Sequence, residues 1–377
     1  MFHAQWLFAR GLDAEAAWEQ VDQVERSLRD RGIMMGPGGA DESAEGVRRT
    51  VLVDHNPSVD ASEAALIQVT EDPTLPAIYI LIRASEESTF EVLLEAVVQH
   101  TDRVTPAELA RAVFDAPSDR DALRRMGLGL VGTRYEPACY RAFSEVLAAD
   151  DQALVSDAAL VIGQLGWRSL LRPIHRALER LDGGSAARES VEWAFHALDW
   201  QDERESFLLP EGTSIDEAIE HIRTSLRALN GSLEHERLDA QRFMARDANG
   251  QVAIAAWEID GMQVVELSPD WREPLIGAVR ALRPLTIEER LAEVTAPGGN
   301  RLLRLVVANK KYHPTIDRLL SEGLRDADRA RRGDALMAVS ASFWESALPD
   351  VEALAEVETS AELRRLIDAF LFRHRGY

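Results

Sequence analysis

Gly127-Leu-Gly-Leu-Val-Gly132 spells the glycine fingerprint of dinucleotide sites, where glycines let a pyrophosphate reach a helix N-terminus. That chemistry needs a strand before the glycines and a helix after them. Here the motif closes an apolar helical segment, and its counterpart in the second half, Val306-Val-Ala-Asn309, has no glycine. The glycines are expected to end a helix or to let two helices approach, and no cofactor is expected. Asp54-His55 ends an expected strand, and a histidine there can act as a general base near neutral pH. No nucleophile or second acid stands at a telling spacing, and the equivalent strand offers only Arg246-Asp247, so a surface turn is the reading. The histidines, at 3, 55, 100, 175, 196, 221, 235, 313 and 374, form no i, i+4 pair with one another and join no carboxylate cluster. His221 and His235 flank a helix end without further ligands, and no metal is expected. Lys310-Lys311, with Arg301 and Arg304 nearby, is the one locally basic spot suited to phosphate.

Composition narrows the class. The chain has 377 residues, 46% hydrophobic and 28% charged, enough for two to four domains with cores of their own. No run approaches the ~18 apolar residues that cross a bilayer, and the start, Met1-Phe-His-Ala-Gln-Trp-Leu-Phe8, does not read as a signal peptide. The single cysteine, Cys139, rules out an internal disulfide framework and a multi-cysteine metal site, and a cytoplasmic protein is expected. Net charge is −22, with −14 over residues 1–200. Such a field repels phosphate backbones, so no nucleic acid is expected as partner, whereas a basic protein would be drawn in. Basic residues are arginine except Lys310 and Lys311, a bias that suggests a GC-rich, bacterial genome.

The positions above belong to a tandem duplication. Tyr135, Pro137, Arg141, Asp157, Ala158, Trp167 and Ser169 recur 177 residues on as Tyr312, Pro314, Arg318, Asp334, Ala335, Trp344 and Ser346. Upstream, Thr105-Pro-Ala-Glu108 faces Thr286-Ile-Glu-Glu289 and Ala116-Pro117 faces Ala296-Pro297; downstream, Ser185, Ala194 and Phe195 face Ser360, Ala369 and Phe370. The recurring tryptophans and tyrosines are expected to plug junctions between helices. Asp157 and Asp334 are expected near helix starts, accepting backbone N–H bonds, and Arg141 and Arg318 beside acids.

Each half opens with a small α/β segment. Strands are expected at Gln5–Phe8, Arg49–Asp54, Ala64–Val69 and Ala77–Arg83, with helices at Ala14–Arg31 and Phe90–His100 and a flexible glycine-rich loop over Met34–Gly46. The second half repeats this with strands near Ser206–Leu209, Gln241–Ala245, Val252–Trp257 and Gln263–Leu267, helices Ser214–Leu229 and Glu273–Leu282, and a hairpin turn at Asp260-Gly261. The order is β-α-β-β-β-α in both.

Helices follow in each half. Leu123, Met126 and Val131 share a phase with Leu160, Ile162 and Leu165, and again with Trp193, Phe195 and Leu198, with helices of a second kind at Ala138–Leu147 and Leu170–Leu181. A period of 30–45 residues built from helix pairs marks a stacked repeat, since one pair cannot bury its apolar face alone. Segments such as Ser156-Asp-Ala-Ala-Leu-Val-Ile-Gly-Gln-Leu-Gly166 and Gly333-Asp-Ala-Leu-Met-Ala-Val339 resemble the first helix of HEAT-like repeats. The resemblance covers 104–200 and 285–377 and implies a curved stack of helix pairs that binds protein or, less often, nucleic acid.

The expected fold class is therefore α+β: a small α/β (β-α-β-β-β-α) module followed by HEAT-like helical repeats, in tandem. The domains are 1–103 and 201–284 for the two α/β modules and 104–200 and 285–377 for the two repeat segments. The expected function is a non-catalytic cytoplasmic adaptor, such as a bacterial immunity or regulatory protein, holding a basic protein partner on acidic positions of the second helices: Glu145, Glu179, Glu352 and Glu356. The alternatives are an enzyme with its site between the α/β modules, or a scaffold subunit whose sheets pair by their edges.

Overall fold

In the computed structural model the described residues are 3–9, 14–42, 48–54, 65–72, 77–131, 133, 135–199, 205–210, 214–228, 234–239, 242–246, 252–259, 262–268, 276–277, 279–280, 282–294, 301–307, 309, 311–342 and 344–375. The chain forms two compact units, Met1–Phe195 with His374–Tyr377, and His196–Arg373.

The first unit begins β1 (His3–Ala9), α1 (Ala14–Asp30), β2 (Met35–Glu42), β3 (Arg48–Asp54), β4 (Leu66–Asp72), β5 (Ala77–Ala84), α2 (Glu87–His100) and β6 (Arg103–Val104). The strands form one antiparallel sheet in the order β2-β3-β4-β5-β1-β6. Alternation puts Ile78, Ile80 and Ile82 of β5 on one face with Ile67 and Val69 of β4. Val21, Val24 and Leu28 of α1, three and four residues apart, close over that face together with Leu93, Ala96 and Val97 of α2. The second unit begins β7 (Glu205–Leu208), α9 (Ile215–Ala228), β8 (Glu234–Asp239), β9 (Arg242–Arg246), β10 (Val252–Ile259) and β11 (Met262–Leu267), in the sheet order β7-β11-β10-β9-β8. That is the first sheet's order without its sixth strand. Leu285 N–H donates to Leu208 O, the counterpart of the pairing between Val104 and Phe8. Ile259 pairs with Met262 across the expected hairpin; Asp260 and Gly261 lie outside the described residues, as does most of the helix expected at Glu273–Leu282.

Among the described residues the first copy holds two strands more than the sequence order suggests, β2 and the two-residue β6, and the second holds one, β8. Met34–Gly46, expected as a flexible loop, contains β2, and Glu234–Asp239, read as no element, is β8. Both lie at a sheet edge, and both carry an irregular register, at Pro37/Gly39 and at Arg237/Asp239. An edge strand tolerates proline, glycine and polar residues because one side of its ladder needs no partner.

The helical parts match element by element. In the first unit they are α3 (Pro106–Asp115), α4 (Arg120–Gly129), α5 (Pro137–Leu147), α6 (Gln152–Leu165), a 3-10 turn Arg168–Leu170, α7 (Leu171–Arg180) and α8 (Ala186–Asp199). In the second they are α10 (Ile287–Val294), α11 (Arg301–Val307), α12 (Pro314–Leu324), α13 (Arg329–Ser342), a 3-10 turn Glu345–Ala347, α14 (Leu348–Val357) and α15 (Ala361–Arg375). From α5 to α7 every boundary recurs 177 residues later in α12 to α14. Thr105 and Glu108 form a reciprocal cap at the start of α3, and Thr286 and Glu289 do the same for α10. Trp167 and Trp344 are 2% and 5% exposed, each against its own tyrosine: Tyr135 at 6.1 Å and Tyr312 at 6.5 Å between ring centroids. The α+β class and the tandem architecture of sheet module and helical repeat are those of the molecule.

One local expectation fails. Asp157 lies inside α6, where it accepts from Arg120 of α4 rather than from its own helix start; Asp151 is the cap. Asp334 likewise sits within α13, where burial raises its carboxyl above the usual range. Arg318 does pair with an acid, Glu322 at 3.8 Å, and Arg141 stands exposed.

Candidate functional site

The two copies differ where α12 meets α14. In the first copy that junction is apolar or small: Ala148, Val155, Pro173 and Leu181. At the equivalent positions of the second copy stand Arg325, Arg332, Asp350 and Glu358. These replacements come in complementary pairs. Arg332 Nε donates to Glu358 Oε2 at 2.8 Å, and Arg325 Nη2 donates to Asp350 Oδ1 at 2.5 Å. Glu358 and Asp350 are each 2% exposed, so both carboxylates are removed from water while tied to an arginine.

A cavity of about 470 Å3 opens at this junction, lined by Leu324, Arg325, Asp326, Arg332, Asp350, Ala353, Leu354, Val357, Glu358 and Thr359. Its opening has a visible cause. In the first copy Arg180, at the end of α7, reaches across to the end of α5, donating to Leu147 O at 2.7 Å and lying 3.7 Å from Asp150. The residue at that position in the second copy is Val357, which is too short to cross and is 72% exposed. The same gap is filled by an arginine in one copy and left open in the other.

The electrostatics of the cavity suit holding rather than proton transfer. The Arg332 guanidinium, assisted by the N–H groups of Ser360 and Thr359, holds the Glu358 carboxyl down to about 2. The backbone N–H of Asp328 and then Arg331 lower Asp326. A general base works best with a value near the operating pH, which Glu358 is far from.

The four acidic positions singled out from sequence fall into two pairs. Glu145 and Glu179 stand exposed on α5 and α7 of the first unit; Glu352 and Glu356 lie one turn apart on α14 of the second, the former half-buried. Glu179 and Glu356 are equivalent, and the equivalent of Glu145 is Glu322, which sequence reasoning passed over. Their surroundings differ. Glu179 shares α7 with Arg172, Arg176 and Arg180 and lies 3.8 Å from His175, whereas α14 carries Asp350, Glu352 and Glu356 and no basic residue. Matched helices thus have opposite charge, three arginines against one glutamate in α7 and three acids in α14.

Of the other sequence candidates, the fingerprint glycines that are described have a structural role. Gly127 and Gly129 lie in the last turns of α4, not between a strand and a helix, and a Cβ on Gly127 would meet Val161 of α6 at 2.2 Å. Gly132, His55 and Lys310 lie outside the described residues. Among the described residues no group of three His, Cys, Asp or Glu side chains can hold a metal ion. Cys139 is buried against Pro106 O at 3.2 Å, and burial pushes its thiol up, away from the reactive thiolate. Among the described residues no helix is long and apolar enough to cross a membrane.

What sequence reasoning missed was Arg325, Arg332, Asp350 and Glu358. The signal was present: aligned copies swap two apolar pairs for two opposite-charge pairs. No protein-family model matches this chain, and no curated protein matches its sequence.

Proposed function

We propose that this chain is a non-catalytic, cytoplasmic protein-binding protein that uses HEAT-like helical repeats to hold a basic partner, with α14 as the principal contact. The observation that carries the reading is the charge divergence between α7 and α14. Asp350 is buried against Arg325, which leaves Glu352 and Glu356 as the surface charges of α14 where α7 presents arginines. Duplicated helices keep a common core, so such a change of surface charge is the kind of difference that partner choice leaves behind. Val357, 72% exposed beside Glu356, supplies an apolar contact within the acidic surface. A regulatory or immunity role, masking a basic protein, fits the net charge of −22.

The test is a purified partner recovered by crosslinking in the source cell. It is expected to be basic. Glu352→Lys with Glu356→Lys should slow its association by about tenfold, and Glu145→Lys with Glu179→Lys should slow it less, because arginines already surround Glu179. An acidic partner, or equal effects of the two double variants, would remove α14 from the proposal.

A further inference from the structure

We infer that the cavity between α12 and α14 binds a carboxylate carried on a short aliphatic chain, either a free acid or the last residue of a peptide. The cavity shares Val357 with the partner surface proposed above but rests on Arg325 and Arg332 rather than on Glu352 and Glu356. Arg332 is fastened along two sides of its guanidinium: Nε to Glu358, and Nη1 to the carbonyl oxygens of Asp326 at 3.0 Å and Ala327 at 2.9 Å. Its Nη2 has no hydrogen-bond partner among the described residues. Arg325, on the same wall, uses only Nη2, toward Asp350, which leaves Nε and Nη1 without a hydrogen-bond partner among the described residues. Two guanidinium groups, one of them rigidly held, therefore offer donors to a ligand, and the planar fork of arginine matches a carboxylate.

Charge and shape choose among anions. Each acid of the wall is paired, Glu358 with Arg332, Asp350 with Arg325 and Asp326 with Arg331 at 3.1 Å, so the wall carries little net charge and suits a single negative charge better than a phosphate dianion. Glu358 offers a cation no open oxygen, since Oε2 accepts from Arg332 and Oε1 from the N–H groups of Thr359 and Ser360 at 2.9 Å each. The rest of the wall, Leu324, Leu354 and Val357, is aliphatic. A volume of about 470 Å3 lies within the usual range for small-molecule sites, so one or two aliphatic residues fit. The first copy supplies the counterexample, since there Arg180 occupies the gap with its own side chain.

Calorimetry on the full chain with N-acetyl-leucyl-leucine, the same dipeptide as its C-terminal amide, and hexanoate tests the inference. Saturable binding of an acid without binding of the amide is expected. Hexanoate binding as tightly as the dipeptide acid identifies a free acid as the ligand; the dipeptide acid alone identifies a chain terminus. Val357→Arg, which installs the first copy's plug on an exposed position, should weaken the acid by about tenfold or more. Arg325→Gln should also weaken it, and decides the matter if Val357→Arg fails to fold as judged by circular dichroism. No saturable binding of either acid, equal binding of the amide, or an unaltered affinity in a folded Val357→Arg chain would overturn the inference.

Discussion

Arg332 and Glu358 stand where the first copy has Val155 and Leu181, and their burial makes them interdependent. Removing Arg332 leaves the buried Glu358 carboxylate without its counter-charge, which is destabilising, whereas replacing both partners by packed apolar residues is often neutral or stabilising. Arg332→Val alone should therefore lower the urea midpoint of unfolding clearly. Adding Glu358→Leu, which rebuilds the first copy's pair, should restore most of the loss. The same pair sets an acid response. The Glu358 carboxyl in the folded chain is held at about 2, below its ordinary 4.5, so its contribution is full above about pH 4.5 and fades as pH falls toward 2. The double variant should lose stability less steeply than the parent over that window; equal slopes in urea titrations at several pH values would contradict this. Nothing in either copy read alone marks these residues, since an Arg and a Glu 26 apart look like ordinary surface. Only the alignment of copies, and then the packing of α14 on α12, gives them a shared place.

Helices and inner strands were legible because their spacing reports which side is buried. Leu123 and Met126 of α4, Ile162 of α6 and Leu198 of α8 are buried on the face the period singled out. Leu160 and Trp193, placed on that same face, are 42% and 46% exposed, because neighbours in the stack bury the adjacent stripe of Ala158, Val191 and Ala194 instead. The edge strands β2 and β8 were not legible, because the glycine, proline and charged residues that an edge tolerates leave no apolar alternation to read. Asp157 was misplaced for a related reason: a cap and a bridge between helices use the same carboxylate, and only the position of Arg120 separates them. The plugs between helices give a test at this scale. Trp167 donates Nε1–H to Thr133 O at 2.5 Å and packs edge-on to Phe143 at 6.5 Å, so it joins successive repeats by a polar tip and an apolar body. Trp167→Ala and Trp344→Ala should each cost about 3–5 kcal/mol in chemical denaturation. Full stability in either variant would make that tryptophan a partner contact instead.

At the scale of the whole molecule, a net charge of −22 acts over distance before any contact forms. Its reach shrinks with salt, the Debye length being about 10 Å at 0.1 M. Association with the proposed basic partner should thus slow as salt rises, with dissociation changing less, in stopped-flow or surface measurements; a salt-independent association rate would remove the role given to charge. The sequence by itself determined the α+β class, the duplication with its common offset, and the helical repeats, because periodicity, capping residues and recurring aromatics are local and survive in a linear reading. Tertiary structure alone decided which acids belong together, that Arg180 fills in one copy the gap that Val357 leaves open in the other, and that the arginines beside this gap keep donors to spare. Those outcomes depend on side chains far apart in the chain meeting across packed helices, and linear spacing carries no record of that meeting.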